Sequence, residues 1–95
     1  MQPEWKHCDP GWLVSLAEQQ QPDQPWLAAA LRDCTRCIEE SPVYTRFVSG
    51  ERANQAGAEW QFEGNLSLHH PQHGELILDI LQGQRVGGVE FLDRL

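Results

Sequence analysis

The chain has 95 residues, with 14 Asp and Glu against 7 Lys and Arg, for a formal net charge of −7. A chain of this length makes one domain that buries roughly two thirds of its unfolded surface. Its apolar share of 40% and charged share of 22% exclude wholesale disorder. No stretch approaches the roughly 20 continuous apolar residues of a membrane-spanning helix. The basic residues are scattered rather than clustered, so phosphate-backbone binding, which needs grouped Lys and Arg, is excluded as well.

The N-terminus, Met1-Gln2-Pro3-Glu4-Trp5-Lys6-His7, has no basic region followed by an apolar run. It therefore does not read as a secretory signal, and a cytoplasmic location is expected. Cys8, Cys34 and Cys37 are odd in number, which fits reduced thiols in a reducing compartment.

In chain order, residues 1–8 read as an arm and residues 9–41 as a helical hairpin. Asp9-Pro10 is a helix start, with Asp9 as cap and Pro10 in the first turn. Trp12, Leu13, Leu16 and Ala17 then form an apolar stripe that ends at Gln19-Gln20-Gln21-Pro22. A second start at Asp23-Gln24-Pro25 leads into Leu27, Ala30, Leu31, Cys34, Cys37 and Ile38, all on one helical face. This helix is expected to run to Ser41-Pro42, because the residue before proline is pushed out of the helical region.

After Pro42 the apolar period drops from about 3.6 to 2. Residues 42–95 therefore predict an antiparallel meander of about four strands. The first is Val43–Val48, followed by a polar loop over residues 49–57. Trp60, Phe62, Leu66 and Leu68 all fall at even positions, with Gly64 among them. A long strand bent or bulged at Gly64 would keep the four on one face, whereas a turn at Glu63-Gly64 would split them. The long strand is the expectation. His69 to Gly74 make a turn, Leu76 to Leu81 a central strand and Gln82-Gly83 a tight turn. In the last strand, Gly87-Gly88 shifts the phase between Val86 and Val89. The whole is an α+β domain, a two-helix hairpin packed on an antiparallel meander.

The stretch from Gly74 to Asp79, together with Gly87-Gly88-Val89-Glu90-Phe91-Leu92, resembles the ending of small uncharacterised bacterial domains that close with a Gly-(Ile/Val)-Glu-(Ile/Phe)-Leu hairpin. The resemblance covers about 20 residues, leaves out the two helices and implies no activity.

Several side chains are candidates for chemistry. Cys34-Thr35-Arg36-Cys37 has the spacing of a redox motif, but at a helix C-terminus the dipole opposes thiolate formation. Buried cysteines acting as small hydrophobes are the plainer reading. With His7 and Cys8 these two cysteines would make a four-ligand zinc set. His69, His70 and His73 are a second metal candidate, or simply a solvated turn. Arg46 or Arg85 could pair with Asp79 or Glu90 as a structural ion pair. No phosphate loop, His-Glu-x-x-His or nucleophile elbow occurs, so neither catalysis nor a cofactor is expected.

Trp12, Trp26 and Trp60 read as core residues, whereas Trp5 precedes every element and either docks back or meets a partner. Trp5, Trp60, Glu59 and Glu63 form the expected interface of a small acidic protein-binding module. An immunity-type inhibitor of a basic toxin, or of another cationic partner, is its most specific form. A metal-binding domain and a self-complementary homodimer are the alternatives.

Overall fold

A computed structural model describes residues 4–95. Residues 1–3 of the expected arm lie outside the described residues. The elements are β1 (Lys6–His7), α1 (Gly11–Gln20), α2 (Pro25–Arg32), β2 (Arg36–Ser41), β3 (Tyr44–Arg46), β4 (Phe62–His70), β5 (Gly74–Leu81) and β6 (Arg85–Phe91), closed by a 3-10 turn over Leu92–Arg94. All strand pairs are antiparallel, in the order β1-β2-β3-β6-β5-β4. The α+β class holds, but the sheet has six strands rather than about four. Only β4-β5-β6 is a simple meander, because the final strand returns between β5 and β3.

Both helices begin where proline places them. Pro25 occupies the first turn of α2, and Pro10 sits immediately before α1, one position earlier than the sequence suggests. Asp9 still serves this end, since its Oδ1 accepts from the Gly11 N–H at 2.9 Å. Leu13, Leu16 and Ala17 of α1 and Leu27, Ala28 and Leu31 of α2 are buried. They pack with Leu68, Leu76, Leu78, Ile80, Val86, Val89 and Phe91 of the sheet. α1 lies against β4 and α2 against β6.

The expected helix over residues 25–41 stops at Arg32, and Arg36–Ser41 is strand β2 instead. Cys34, Cys37 and Ile38 continue the helical spacing by coincidence. The strand wins because its backbone groups find partners on both sides. The Cys8 N–H donates to the Thr35 carbonyl at 2.8 Å, β1 pairs Lys6 with Cys37, and β3 pairs Thr45 with Glu39. Ser41-Pro42 thus sits at a β-hairpin, where Ser41 faces Tyr44 across a two-residue turn.

The long strand exists, but its phase differs from expectation. Phe62 pairs with Leu81 while Gly64 pairs with Ile80, so Glu63 is the extra residue of a bulge. The bulge shifts every earlier side chain to the other face. Leu66 and Leu68 point to the helices, whereas Phe62 shares the Leu81 face and is 44% exposed. Trp60 lies just before the strand with its indole over Gly87, beside Leu81 and outside the helical core.

At Gly87-Gly88 the predicted phase shift is present. Asp79 pairs with Gly88 and Ile80 with Val86, so Gly87 is the extra residue. Val86, Val89 and Phe91 can therefore all reach the core. The Gln82-Gly83 turn also forms, with Gly83 and Gln84 at φ of 83° and 55°.

Candidate functional site

The helices roof β4, β5 and β6, which leaves two surfaces for interaction. One is the helix-side flank of β1–β3. The other is the far face of the sheet.

On the helix-side flank a cleft of about 360 Å³ is bounded by the β1 arm, the start of α1 and strands β2, β3 and β6. Its apolar wall is Trp12, Leu13, Phe47, Val89 and Phe91, and Lys6, Glu39, His73 and Arg94 stand among its polar lining. Trp12, His70, His73 and Phe91 form an aromatic cluster with centroids 4.5 to 6.2 Å apart. Arg94 closes it from outside, 3.9 Å above the Phe91 ring, 3.2 Å from His73 Nδ1 and bonded to the Pro42 carbonyl at 3.1 Å. Burial, then the neighbouring His70, then Arg94 push the His73 pKa below its ordinary value.

The cysteines behave differently from the sequence reading of three reduced thiols. Cys8 and Cys37 are joined in a disulfide, with Cα atoms 6.0 Å apart, and only Cys34 is free. The pair ties the arm to β2, so the odd thiol count gives no support to a reducing compartment. Cys34 is buried, with Sγ 3.5 Å from the Ala30 carbonyl, and burial, with a smaller contribution from Asp33, pushes its pKa up to about 12.

Neither metal candidate assembles. Two of the four residues His7, Cys8, Cys34 and Cys37 are consumed in the disulfide. His69 and His70 alternate along β4, and His70 Nδ1 accepts from the backbone N–H groups of Gln72 and His73, both at 3.0 Å. Among the described residues no group of three or more His, Cys, Asp and Glu side chains is arranged to hold a metal ion.

The far face has two halves. Over β2 and β3, Trp5 docks back on the sheet with the Arg36 and Arg46 guanidinium groups 5.4 and 5.8 Å from its ring. Arg46 is also held by Glu40 at 2.6 Å. Arg46 thus does pair, but with Glu40 rather than with Asp79 or Glu90. Arg85 is spent on the Gln82 and Glu59 carbonyls, at 3.0 and 2.8 Å.

Over β4, β5 and β6 the far face carries Glu75, Ile77, Asp79 and Glu90, with Ile77 opposite Glu90 and Asp79 beside both in the ladder. Tyr44 Oη donates to Asp79 Oδ2 at 2.6 Å and Asn65 Nδ2 to Asp79 Oδ1 at 2.8 Å. Ser67 Oγ donates to Glu75 Oε1 at 3.0 Å. None of these three carboxylates has a cation within 4.0 Å among the described residues, where the ion pairs are Lys6–Glu39, Arg32–Glu18 and Arg46–Glu40.

Of the expected interface, Trp5 and Glu59 flank one depression on this face, together with Arg36 and Arg85. Trp60 is half-buried over Gly87, and Glu63 is exposed at the β4 bulge. Trp60 and Glu63 are not among the residues lining that depression. Sequence reasoning missed Glu75, Asp79 and Glu90 as a group, although their alternation with buried Leu76, Leu78 and Val89 marks the solvent side of each strand.

Comparison with protein-family models, with curated proteins and with solved structures finds no match to this chain.

Proposed function

We propose that the chain is a small acidic protein-binding module that receives a basic partner on the far face of its sheet. An immunity-type inhibitor of a cationic toxin is the most specific form of this reading. The observation that carries it is the group Glu75, Asp79 and Glu90 around Ile77, which no basic side chain among the described residues neutralises. Hydrogen bonds from Tyr44, Asn65 and Ser67 fix two of these carboxylates in place without cancelling their charge. Such pre-oriented carboxylates lose little side-chain freedom on binding. The net charge of −7 adds long-range attraction for a cationic surface and speeds the encounter. Ile77, half-buried among them, offers apolar contact at the centre of the patch.

The test is affinity capture from the source cell, with the native chain and a Glu75→Lys/Glu90→Lys double variant as parallel baits. A basic protein held by the native chain, lost with the double variant and released as salt rises from about 0.05 to about 0.5 M is expected, because screening shortens the reach of exposed charges. Equal retention by both baits, independent of salt, overturns the reading.

A further inference from the structure

Strand β4 is the last in the sheet, and no strand lies beyond it among the described residues. Its two ends are closed by side chains of the same chain. At one end Gln20 imitates a neighbouring strand: its Nε2 donates to the His69 carbonyl at 2.5 Å, and its Oε1 accepts from the His69 N–H at 2.7 Å. At the other end Asn54 Oδ1 accepts from the Phe62 N–H at 2.9 Å.

These bonds reveal the phase of the edge. In an antiparallel strand, residues that turn both backbone groups toward one neighbour alternate with residues that turn both away. His69 turns both outward, so Ser67 and Asn65 do the same. No hydrogen-bond partner reaches the N–H or C=O of either among the described residues. The edge is thus capped at its ends and open in its middle.

We propose that this opening pairs with the same opening of a second copy, antiparallel about a two-fold axis at Leu66, so that two sheets become one. The phase selects that register. An axis at Leu66 sets Asn65 against Ser67 of the second copy and Ser67 against its Asn65, and each pair exchanges both bonds. Every free group is then satisfied. An axis at Ser67 would set Asn65 against His69, whose groups Gln20 already holds. An axis at Asn65 would set Ser67 against Glu63, where the bulge breaks the alternation.

The same register brings the two Leu66 side chains face to face at the close, non-hydrogen-bonded spacing of about 4.5 Å between Cα atoms. Such an arrangement is isologous, as a closed dimer requires. The pairing does not rest on the basic-partner reading, because it uses the edge of the sheet rather than its far face.

Sedimentation velocity of the full chain from micromolar to millimolar concentration tests it. The expected result is a rise from monomer to dimer mass. Two molecules of net charge −7 repel one another, so the association strengthens with added salt. Binding of a basic partner weakens with salt, so either idea can fail without the other. The decisive variant is Ser67→Pro, which deletes an outward N–H that the β4–β5 ladder does not use. Its association constant falls at least about tenfold if one bond per copy is lost. If that variant does not fold, hydrogen exchange of the native chain decides. The Asn65 and Ser67 amides then exchange at least about tenfold more slowly at the highest concentration than at the lowest. A mass that stays monomeric throughout, an unaltered association of a folded Ser67→Pro, or concentration-independent exchange at both amides overturns the proposal.

Discussion

The hydroxyl of Tyr44 on β3 reaches across β6 to the Asp79 carboxylate on β5, a 2.6 Å bond that passes directly over Gly88. Strands that are not neighbours are thereby linked on the far face, and the space a Cβ at position 88 would need is taken by the Tyr44 hydroxyl and ring. Gly88→Ala is expected to push Tyr44 off Asp79 and to destabilise the fold by about 2 kcal/mol, within the usual range for overpacking plus a lost charged hydrogen bond. Tyr44→Phe, which keeps the ring, should cost about 1 kcal/mol. Urea denaturation at neutral pH checks both, and equal midpoints for native and Gly88→Ala chains would contradict the contact.

The same bond makes a statement about alkaline pH. Burial first, and then the bond to Asp79, raise the Tyr44 pKa far above its ordinary value. The folded chain keeps this proton while the unfolded chain releases it near pH 10. Stability is thus complete below about pH 10 and falls as pH rises beyond it. Cys34 adds the same sign from about pH 9 upward, since burial lifts its thiol to about 12. Tyr44→Phe and Cys34→Ala should each flatten part of the alkaline slope. A titration in which neither variant changes it would refute the assignment.

How far the sequence reveals this arrangement depends on which force decides each segment. The ends of α1 and the start of α2 are legible because Pro10, Pro22 and Pro25 act locally. The β5–β6 hairpin and its Gly87-Gly88 phase shift are legible because alternation there survives on both sides of the bulge. The segment Cys34 to Ser41 is misleading, since its apolar spacing suits a helix equally well. Only pairing with β1 and β3, which no local rule shows, makes it a strand. The four even-numbered residues from Trp60 to Leu68 mislead for a different reason. Gly64 marks the right neighbourhood for an irregularity, but one extra residue at Glu63 reverses the face of Trp60 and Phe62. The acidic far-face group is hidden because its members come from two strands, and only the β5–β6 pairing sets Glu90 opposite Ile77 between Glu75 and Asp79.

His73 carries a prediction of opposite pH sense. Its pKa is lowered by burial, by His70 and by Arg94, with Trp12 and Phe91 making up the rest of its surroundings. The unfolded chain takes up a proton near pH 6.5 that the folded chain resists. Stability is therefore complete above about pH 6.5 and is lost as pH falls through the folded value. His73→Gln should reduce the acid sensitivity between about pH 7 and pH 5. Arg94→Gln should also reduce it, by removing a neighbouring cation. Guanidinium midpoints across that interval are the measurement, and a native chain with an unchanged midpoint would refute it.

The disulfide between Cys8 and Cys37 gives a prediction that separates the arm from the core. It spans 29 positions, and closing a loop of that order removes about 3.6 kcal/mol worth of unfolded-state freedom in the chain-entropy picture. Its attachment is the two-residue strand β1 at the margin of the sheet, and neither of its cysteines belongs to the main core cluster under the helices. Reduction by a dithiol should therefore lower the denaturation midpoint while the far-UV spectrum of the folded chain persists. The fluorescence of Trp5, held between Arg36 and Arg46, should change as the arm loosens. A Cys8→Ser/Cys37→Ser chain should match the reduced protein and be indifferent to dithiol. Cys34, buried with its thiol protonated, should resist alkylation until the core itself opens. Rapid alkylation of Cys34 in the reduced but folded chain would show that the arm and the core unfold together, contrary to the separation that the sheet order implies.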